Sequence, residues 1–135
     1  MRAVFDTNIY ISALVFPGGR AEKAVHAAAD GWFDLLISKA IILEVLDVLT
    51  RKFGRDPEEL SRVALFLADL ASVVRPRKKL NVLRDDPDNR ILECALAGHA
   101  DMVVTGDHAM LTLQKIETVR ILTLRDFLEI IDRSG

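Results

Sequence analysis

Short apolar runs alternate along the chain with stretches in which apolar residues return every three or four positions, and this alternation sets the expected architecture. Ala3-Val4-Phe5 reads as a buried strand with Asp6 at its carboxyl end, and Ile9 to Leu14 as a helical turn. After the loop Phe16-Pro17-Gly18-Gly19, the spacing predicts a helix from about Arg20 to Ala29 and a strand over Phe33-Asp34-Leu35-Leu36-Ile37. Ser38 stands where an N-cap belongs, ahead of a helix from Lys39 to about Lys52. Asp56 opens the next helix, with Pro57 at its first position and Glu59 three residues on. That helix carries Leu60, Val63, Ala64, Leu67, Leu70 and Ala71 at helical spacing, with Leu65, Phe66 and Val73 off the main stripe. Val73-Val74-Arg75 reads as a short strand. A helix from Asp88 to about Ala97, a strand Met102–Thr105, a short helix His108–Leu113, a strand Val119–Leu122 and a helix Leu124–Ile131 complete the pattern. Strands and helices alternating over short connections predict an α/β fold, with a parallel sheet covered on both faces.

No repeat, low-complexity stretch or linker interrupts this order, so residues 1–135 are expected to form one domain. Only 6% of residues are aromatic, so the core is aliphatic. Cys94 is the sole cysteine, which excludes an intrachain disulfide and a cysteine-based zinc site. His26, His99 and His108 have no metal-ligand spacing, so any ion is bound through oxygen. The first strand leaves no room for a signal peptide, and no apolar run approaches a membrane span. A soluble cytoplasmic protein is the expectation. The net charge of −2 gives no overall attraction to nucleic acid, leaving any phosphate contacts to local basic runs.

Four acidic residues carry the candidate chemistry. Asp6 and Asp107 each follow an apolar strand immediately, at the edge where open parallel sheets bind ligands. Asp107, in Val104-Thr105-Gly106-Asp107, also reads as the cap of the helix after it. Asp88 precedes Ile91, Leu92 and Ala95 by three, four and seven residues and so lies near the centre of their buried stripe. Glu93 points roughly 130° away at 100° per residue. Glu44 falls at the edge of the Ile41, Ile42, Val45, Val48, Leu49 stripe, whereas Asp47 points outward. Converged carboxylates raise one another's pKa unless a cation sits among them. Hard oxygen donors suit Mg²⁺ or Mn²⁺, and such a site serves phosphodiester hydrolysis without a side-chain nucleophile.

With Asp6-Thr7-Asn8 after the first strand, Glu44 in the helix after the second, Asp86-Pro87-Asp88-Asn89-Arg90-Ile91-Leu92-Glu93, and Val103-Val104-Thr105-Gly106-Asp107, the chain resembles PIN-domain ribonucleases. The resemblance spans essentially the whole chain and is strongest to the PIN-family toxins of prokaryotic toxin–antitoxin systems. It implies a three-layer α/β/α sandwich around a mostly parallel sheet. It also implies an Mg²⁺- or Mn²⁺-dependent endoribonuclease, usually a homodimer, held inactive by a cognate antitoxin. By position, Asp6, Glu44, Asp88 and Asp107 match the family's acidic quartet, which acts by in-line attack of water on RNA. Asn8 matches the residue that orients the first Asp, and Thr105 the Ser/Thr near the last; Thr7 is a further support. Asp86, with Asp85 beside it, and Glu93 are additional acidic candidates.

Arg75, Arg77, Lys78 and Lys79 form a basic run that reads either as a phosphate track or as a solvated connector. Arg20 and Lys23, beside the Gly-Gly loop, are a second candidate phosphate clamp. The off-stripe residues of the 56–74 helix read as a partner surface or as a second buried side. Four functions compete with the toxin ribonuclease. A phosphotransferase of the haloacid-dehalogenase type needs a second Asp where Asn8 stands, and a receiver domain needs a first-strand acidic pair and a late lysine. An orphan nuclease, or a non-catalytic PIN scaffold for RNA or a partner, would share these residues.

Overall fold

The computed structural model describes residues 1–134. Thirteen elements follow in order: β1 (Arg2–Phe5), α1 (Thr7–Val15), α2 (Arg20–Ala29), β2 (Asp34–Ser38), α3 (Lys39–Phe53), α4 (Pro57–Leu70), β3 (Ser72–Val74), α5 (Asp86–Ala97), β4 (Met102–Val104), α6 (His108–Leu113), β5 (Lys115–Ile116), β6 (Val119–Leu122) and α7 (Leu124–Ser134). The strands form one sheet in the order β3-β2-β1-β4-β6-β5. All neighbouring pairs are parallel except β5 and β6. In β1, Ala3, Val4 and Phe5 are all buried, although successive side chains point to opposite faces. Helices therefore cover both sides of the sheet, as expected for a parallel one. None of the described helices is long and apolar enough to cross a membrane.

Strand order matters more to function than strand number. From β1 the chain moves outward through β2 to β3, then α5 brings it back to place β4 on the other side of β1. The sheet reverses direction of growth between β1 and β4, and at such a switch point the carboxyl ends of the two strands open into a crevice. α5 packs so closely at its end that a Cβ on Gly98 would stand 2.6 Å from Leu36 Cδ1 and 3.1 Å from Val74 Cγ2. Only glycine fits there without displacing those side chains.

Most expected elements are present, with instructive shifts. Ser38 caps α3, its Oγ accepting the Ile41 N–H at 3.3 Å, and Asp56 caps α4 by accepting the Glu59 N–H at 2.9 Å. α5 begins at Asp86 rather than Asp88, because Pro87 is tolerated in a first helical turn, where its missing N–H would be unpaired anyway. β5 escapes a periodicity reading because two residues are too few to alternate; it exists through its antiparallel pairing with β6. The flanking Gln114 and Glu117 adopt positive φ angles of 64° and 51° to make that hairpin. On α4 only Leu67 is buried, while Leu65 and Phe66 are exposed, so the helix is not enclosed on two sides.

The segment before α5 is tied down by three residues of that helix. Asn89, fully buried, accepts the N–H groups of Val82 (3.0 Å) and Leu83 (2.8 Å) through Oδ1 and donates to the Leu83 carbonyl (2.8 Å). Glu93 accepts the Leu80 N–H at 2.7 Å, and Arg90 donates to the Leu80 carbonyl at 3.0 Å. Replacing Asn89→Ala leaves two backbone donors unpaired and is expected to destabilise the fold by about 2 kcal/mol in urea titration. A loss under about 0.5 kcal/mol would show that water replaces the clamp without penalty.

Candidate active site

The β1–β4 pairing continues one residue past the strands: the Asp6 N–H donates to the Val104 carbonyl at 2.9 Å. Thr105, just beyond β4, is thereby brought beside Asp6 across 99 residues of sequence, and its Oγ1 donates to Asp6 Oδ2 at 2.7 Å. The same hydroxyl accepts the Asp107 N–H at 2.9 Å. Asp107 in turn caps α6, Oδ2 accepting the Met110 N–H at 3.0 Å. One buried hydroxyl thus couples the first strand's carboxylate to the turn that carries the last. Asp6 stands at the N-cap position of α1 but makes no side-chain cap bond there. Its oxygen is committed to Thr105 instead.

Asp88 reaches the same place from the first turn of α5. It is 5% exposed, and its Oδ2 has no hydrogen-bond partner among the described residues. Burial pushes its pKa up to about 7, helped by the charges of Asp107, Asp6 and Asp85. Burial also raises Asp6; the Thr105 hydroxyl and Thr7 backbone oppose this, and Asp107 and Asp85 reinforce it. Glu44, half-buried on α3, is raised by desolvation, then by Asp47, with Arg51 relieving it and Asp85 and Asp6 adding. Asp6, Asp88 and Asp107 therefore form the centre, with Glu44 at its rim.

The remaining candidates divide. Thr7 is buried and shares a small hollow with Glu44, Asp86, Pro87 and Arg90. Asn8 is exposed, and it is the Thr105 hydroxyl that holds Asp6. Asp86 is exposed and pairs with Arg90 at 3.4 Å. Glu93 is occupied by Arg90 at 2.8 Å and by the Leu80 N–H, and lines a different hollow with Arg75 and Leu96. Asp85 is the stronger member of the 85–86 pair: its charge acts on Asp6, Glu44 and Asp88 alike. The signal lay in Pro87, which starts the helix early and leaves Asp85 at its mouth. Lys23 pairs with Asp132 at 3.5 Å in a hollow with Trp32 that shares no lining residue with that of Glu44. Arg20 is exposed at the first position of α2.

No three of the described acidic, His or Cys side chains form a ready-made cage for an ion. The donor set nevertheless fits a hard divalent cation: oxygen donors only, converging negative charge, and a buried Asp88 oxygen without a donor. Mg²⁺ keeps several waters and takes one or two carboxylates, so an open cluster is the arrangement it requires.

The sequence profile of the PIN domain matches residues 2–109, a span that runs from β1 through the start of α6 and contains all four carboxylates. The chain belongs to the PIN-domain family. PIN domains are generally nucleases, which makes nucleic-acid phosphodiester hydrolysis the chemistry of the family. An uncharacterized protein of Methanocaldococcus jannaschii, MJ1680, is 25% identical over 96% of this chain and 90% of its own. A chain in the crystal structure of VapBC2 from Rickettsia felis, bound to a promoter DNA fragment, has a TM-score of 0.65 at 14% identity, covering 91% of this chain and 98% of that one. VapBC-1 from nontypeable Haemophilus influenzae gives 0.64 at 18% identity, with 93% and 99% covered. These two likenesses establish a shared fold.

The raised Asp88 pKa makes this PIN domain's stability depend on pH in a defined direction. Between the ordinary carboxylate value of 3.8 and about 7, the folded state binds more protons than the unfolded state. Without divalent ions, stability is therefore highest on the acid side of that window and declines as pH rises through it. Thermal melts in EDTA should give a lower Tm at about pH 8 than at about pH 5.5, and Asp88→Asn should remove much of the difference by raising the alkaline Tm. An Asp88→Asn protein melting below wild type at both pH values would contradict this account of a buried carboxylate among like charges.

Proposed function

We propose that this chain is a divalent-metal-dependent endoribonuclease formed by one PIN domain over residues 1–135, with Asp6, Glu44, Asp88 and Asp107 as its catalytic carboxylates. The observation that carries the reading is the buried Asp88 oxygen, left without a donor among like charges at the sheet's switch point. Asp6 and Asp88 would hold Mg²⁺ or Mn²⁺, with Glu44 and Asp107 beside them. When bound, the ion supplies positive charge that offsets the carboxylates, acidifies water and stabilises charge on a scissile phosphate. The protein's own residues do the rest. Thr105 fixes the rotamer of Asp6, and through its second hydrogen bond fixes the Asp107 turn relative to it. Glu44, more exposed than Asp6 or Asp88 and with a raised pKa, suits proton acceptance from an attacking water.

RNA as substrate, and a role as the toxin of a toxin–antitoxin pair, follow from the family resemblance; the shape shared with chains of VapBC toxin–antitoxin complexes supports an antitoxin partner. The exposed Leu65 and Phe66 on α4 offer apolar surface for that partner or for a second copy of the chain. A cytoplasmic location remains the expectation for such a protein.

Purified protein should cleave single-stranded RNA with Mn²⁺ or Mg²⁺ and stop in EDTA. Losing an outer-shell partner of a metal ligand typically costs about 10–100-fold in activity or metal affinity, so Thr105→Val should fall in that range and Asp6→Asn should lose about 100-fold or more. Cleavage by Asp6→Asn at the wild-type rate would refute the assignment. RNA binding without cleavage in wild type would instead favour a non-catalytic scaffold.

A further inference from the structure

We infer that a single-stranded RNA leaves the carboxylate cluster over the amino end of α3 and runs into a basic hollow built by Arg75, Arg77 and Lys78. This rests on the ribonuclease reading above and adds the path of its substrate. The surface next to the carboxylates is a series of hollows that share walls. The first holds Thr7, Glu44 and Ala40. Ala40 also lines the second, together with Ser38, Lys39 and Arg75. Arg75, Pro76 and Glu93 then pass into the third, where Arg77, Lys78 and His99 stand. Shared walls therefore set these hollows side by side from the site to the basic run.

Charge along the track favours a polyanion at its far end. Arg75, Arg77 and Lys78 are exposed, and none forms an ion pair with a described residue. Glu93, the acid shared by the second and third hollows, is already neutralised by Arg90 at 2.8 Å. In the third hollow Glu117 is an opposing exposed carboxylate, and in the first stand part-exposed Glu44 and exposed Asp86, the latter paired with Arg90. Midway, Lys39 is exposed at the first turn of a 15-residue helix, whose leading backbone N–H groups lack helical acceptors and favour phosphate. Lys79 is exposed but lines none of these hollows, so it is left outside the track. The basic run is also firmly placed, since Asn89, Arg90 and Glu93 anchor the residues just after it to the helix that carries Asp88. Hollows of about 180, 660 and 480 Å³ in series suit a flexible single strand, whereas a stiff duplex would bridge their rims.

The test is salt-dependent binding of a fluorescent single-stranded RNA of about 12 nucleotides, within the known range of single-strand site sizes. The protein is full-length and carries Asp6→Asn to prevent cleavage, with and without Arg75→Ala, Arg77→Ala and Lys78→Ala. Three phosphate contacts to a single strand contribute about −2 to the slope of log K against log salt, so the triple substitution should flatten the slope by about that amount. Affinity at physiological salt should fall on the order of tenfold. Glu117→Gln should move the other way, tightening binding a few-fold, which a folding defect does not do. An unchanged slope in the triple variant overturns the track, including the outcome in which the surface serves an acidic protein. Equal or tighter binding of duplex DNA, lost with the same substitutions, also overturns it. RNA cleavage by wild type with an unchanged slope defeats the track alone; RNA binding with the predicted slope but no cleavage defeats the ribonuclease reading alone.

Discussion

The parallel pairing of β1 with β4 is the constraint on which the rest of the molecule depends. Without it, Asp6 and Thr105 are 99 residues apart; with it, they share a 2.7 Å hydrogen bond. Because the sheet grows outward from β1 in both directions, no strand blocks the crevice above that pair. α5, which makes the return crossing, delivers Asp88 to the same crevice from its first turn, and α3 brings Glu44 from the neighbouring strand's exit. The cluster is a by-product of the connectivity: Asp6 and Asp107 lie where a strand gives way to a helix, Asp88 in the first turn of α5, and Glu44 in the second turn of α3.

That arrangement is electrostatically frustrated without a cation. Unit charges about 4 Å apart at an effective dielectric near 20 repel by about 4 kcal/mol, a large fraction of a small domain's stability. Burial, reinforced by the neighbouring carboxylates, shifts Asp6, Glu44 and Asp88 upward, and with Asp88 raised to about 7 part of the charge is held as protonated carboxyl. The Thr105 hydroxyl opposes the upward shift at Asp6 and orients its carboxylate. Unfavourable local energy retained at a site of chemistry is the usual mark of selection for activity over stability.

α5 links the two ends of the functional surface. Its first turn carries Asp88, while Asn89, Arg90 and Glu93 grip the strap that follows the basic run. The cluster and the segment after the basic run are therefore parts of one packed unit, and a substrate on the proposed track would be held in register with the carboxylates. Arg90 is central to this: its guanidinium bonds the Leu80 carbonyl and Glu93 on one side and Asp86 on the other. Glu93, an additional acidic candidate in the sequence, is engaged by Arg90 and the Leu80 N–H rather than by the cations of the basic run.

What the sequence determined by itself was everything governed by local rules. Helix phase put Asp88 on the inward stripe and separated Glu44 from Asp47, because which side of a helix a residue faces depends only on its spacing; Glu93, turned about 130° from that stripe, is buried all the same, against the Leu80 N–H and Arg90. Ser38 and Asp56 announced their helices through cap chemistry that needs no tertiary context. The family resemblance supplied the fold class on the same residues. Tertiary structure decided what local rules cannot reach. That Thr105 rather than Asn8 holds Asp6 depends on strand neighbours distant in sequence, and that Asp85 outweighs Asp86 depends on charges converging from four elements. The two-residue β5 exists only through its partner strand, and the exposed flank of α4 only because nothing packs over it. Periodicity fixes direction about an element's own axis; only packing fixes what stands on the other side.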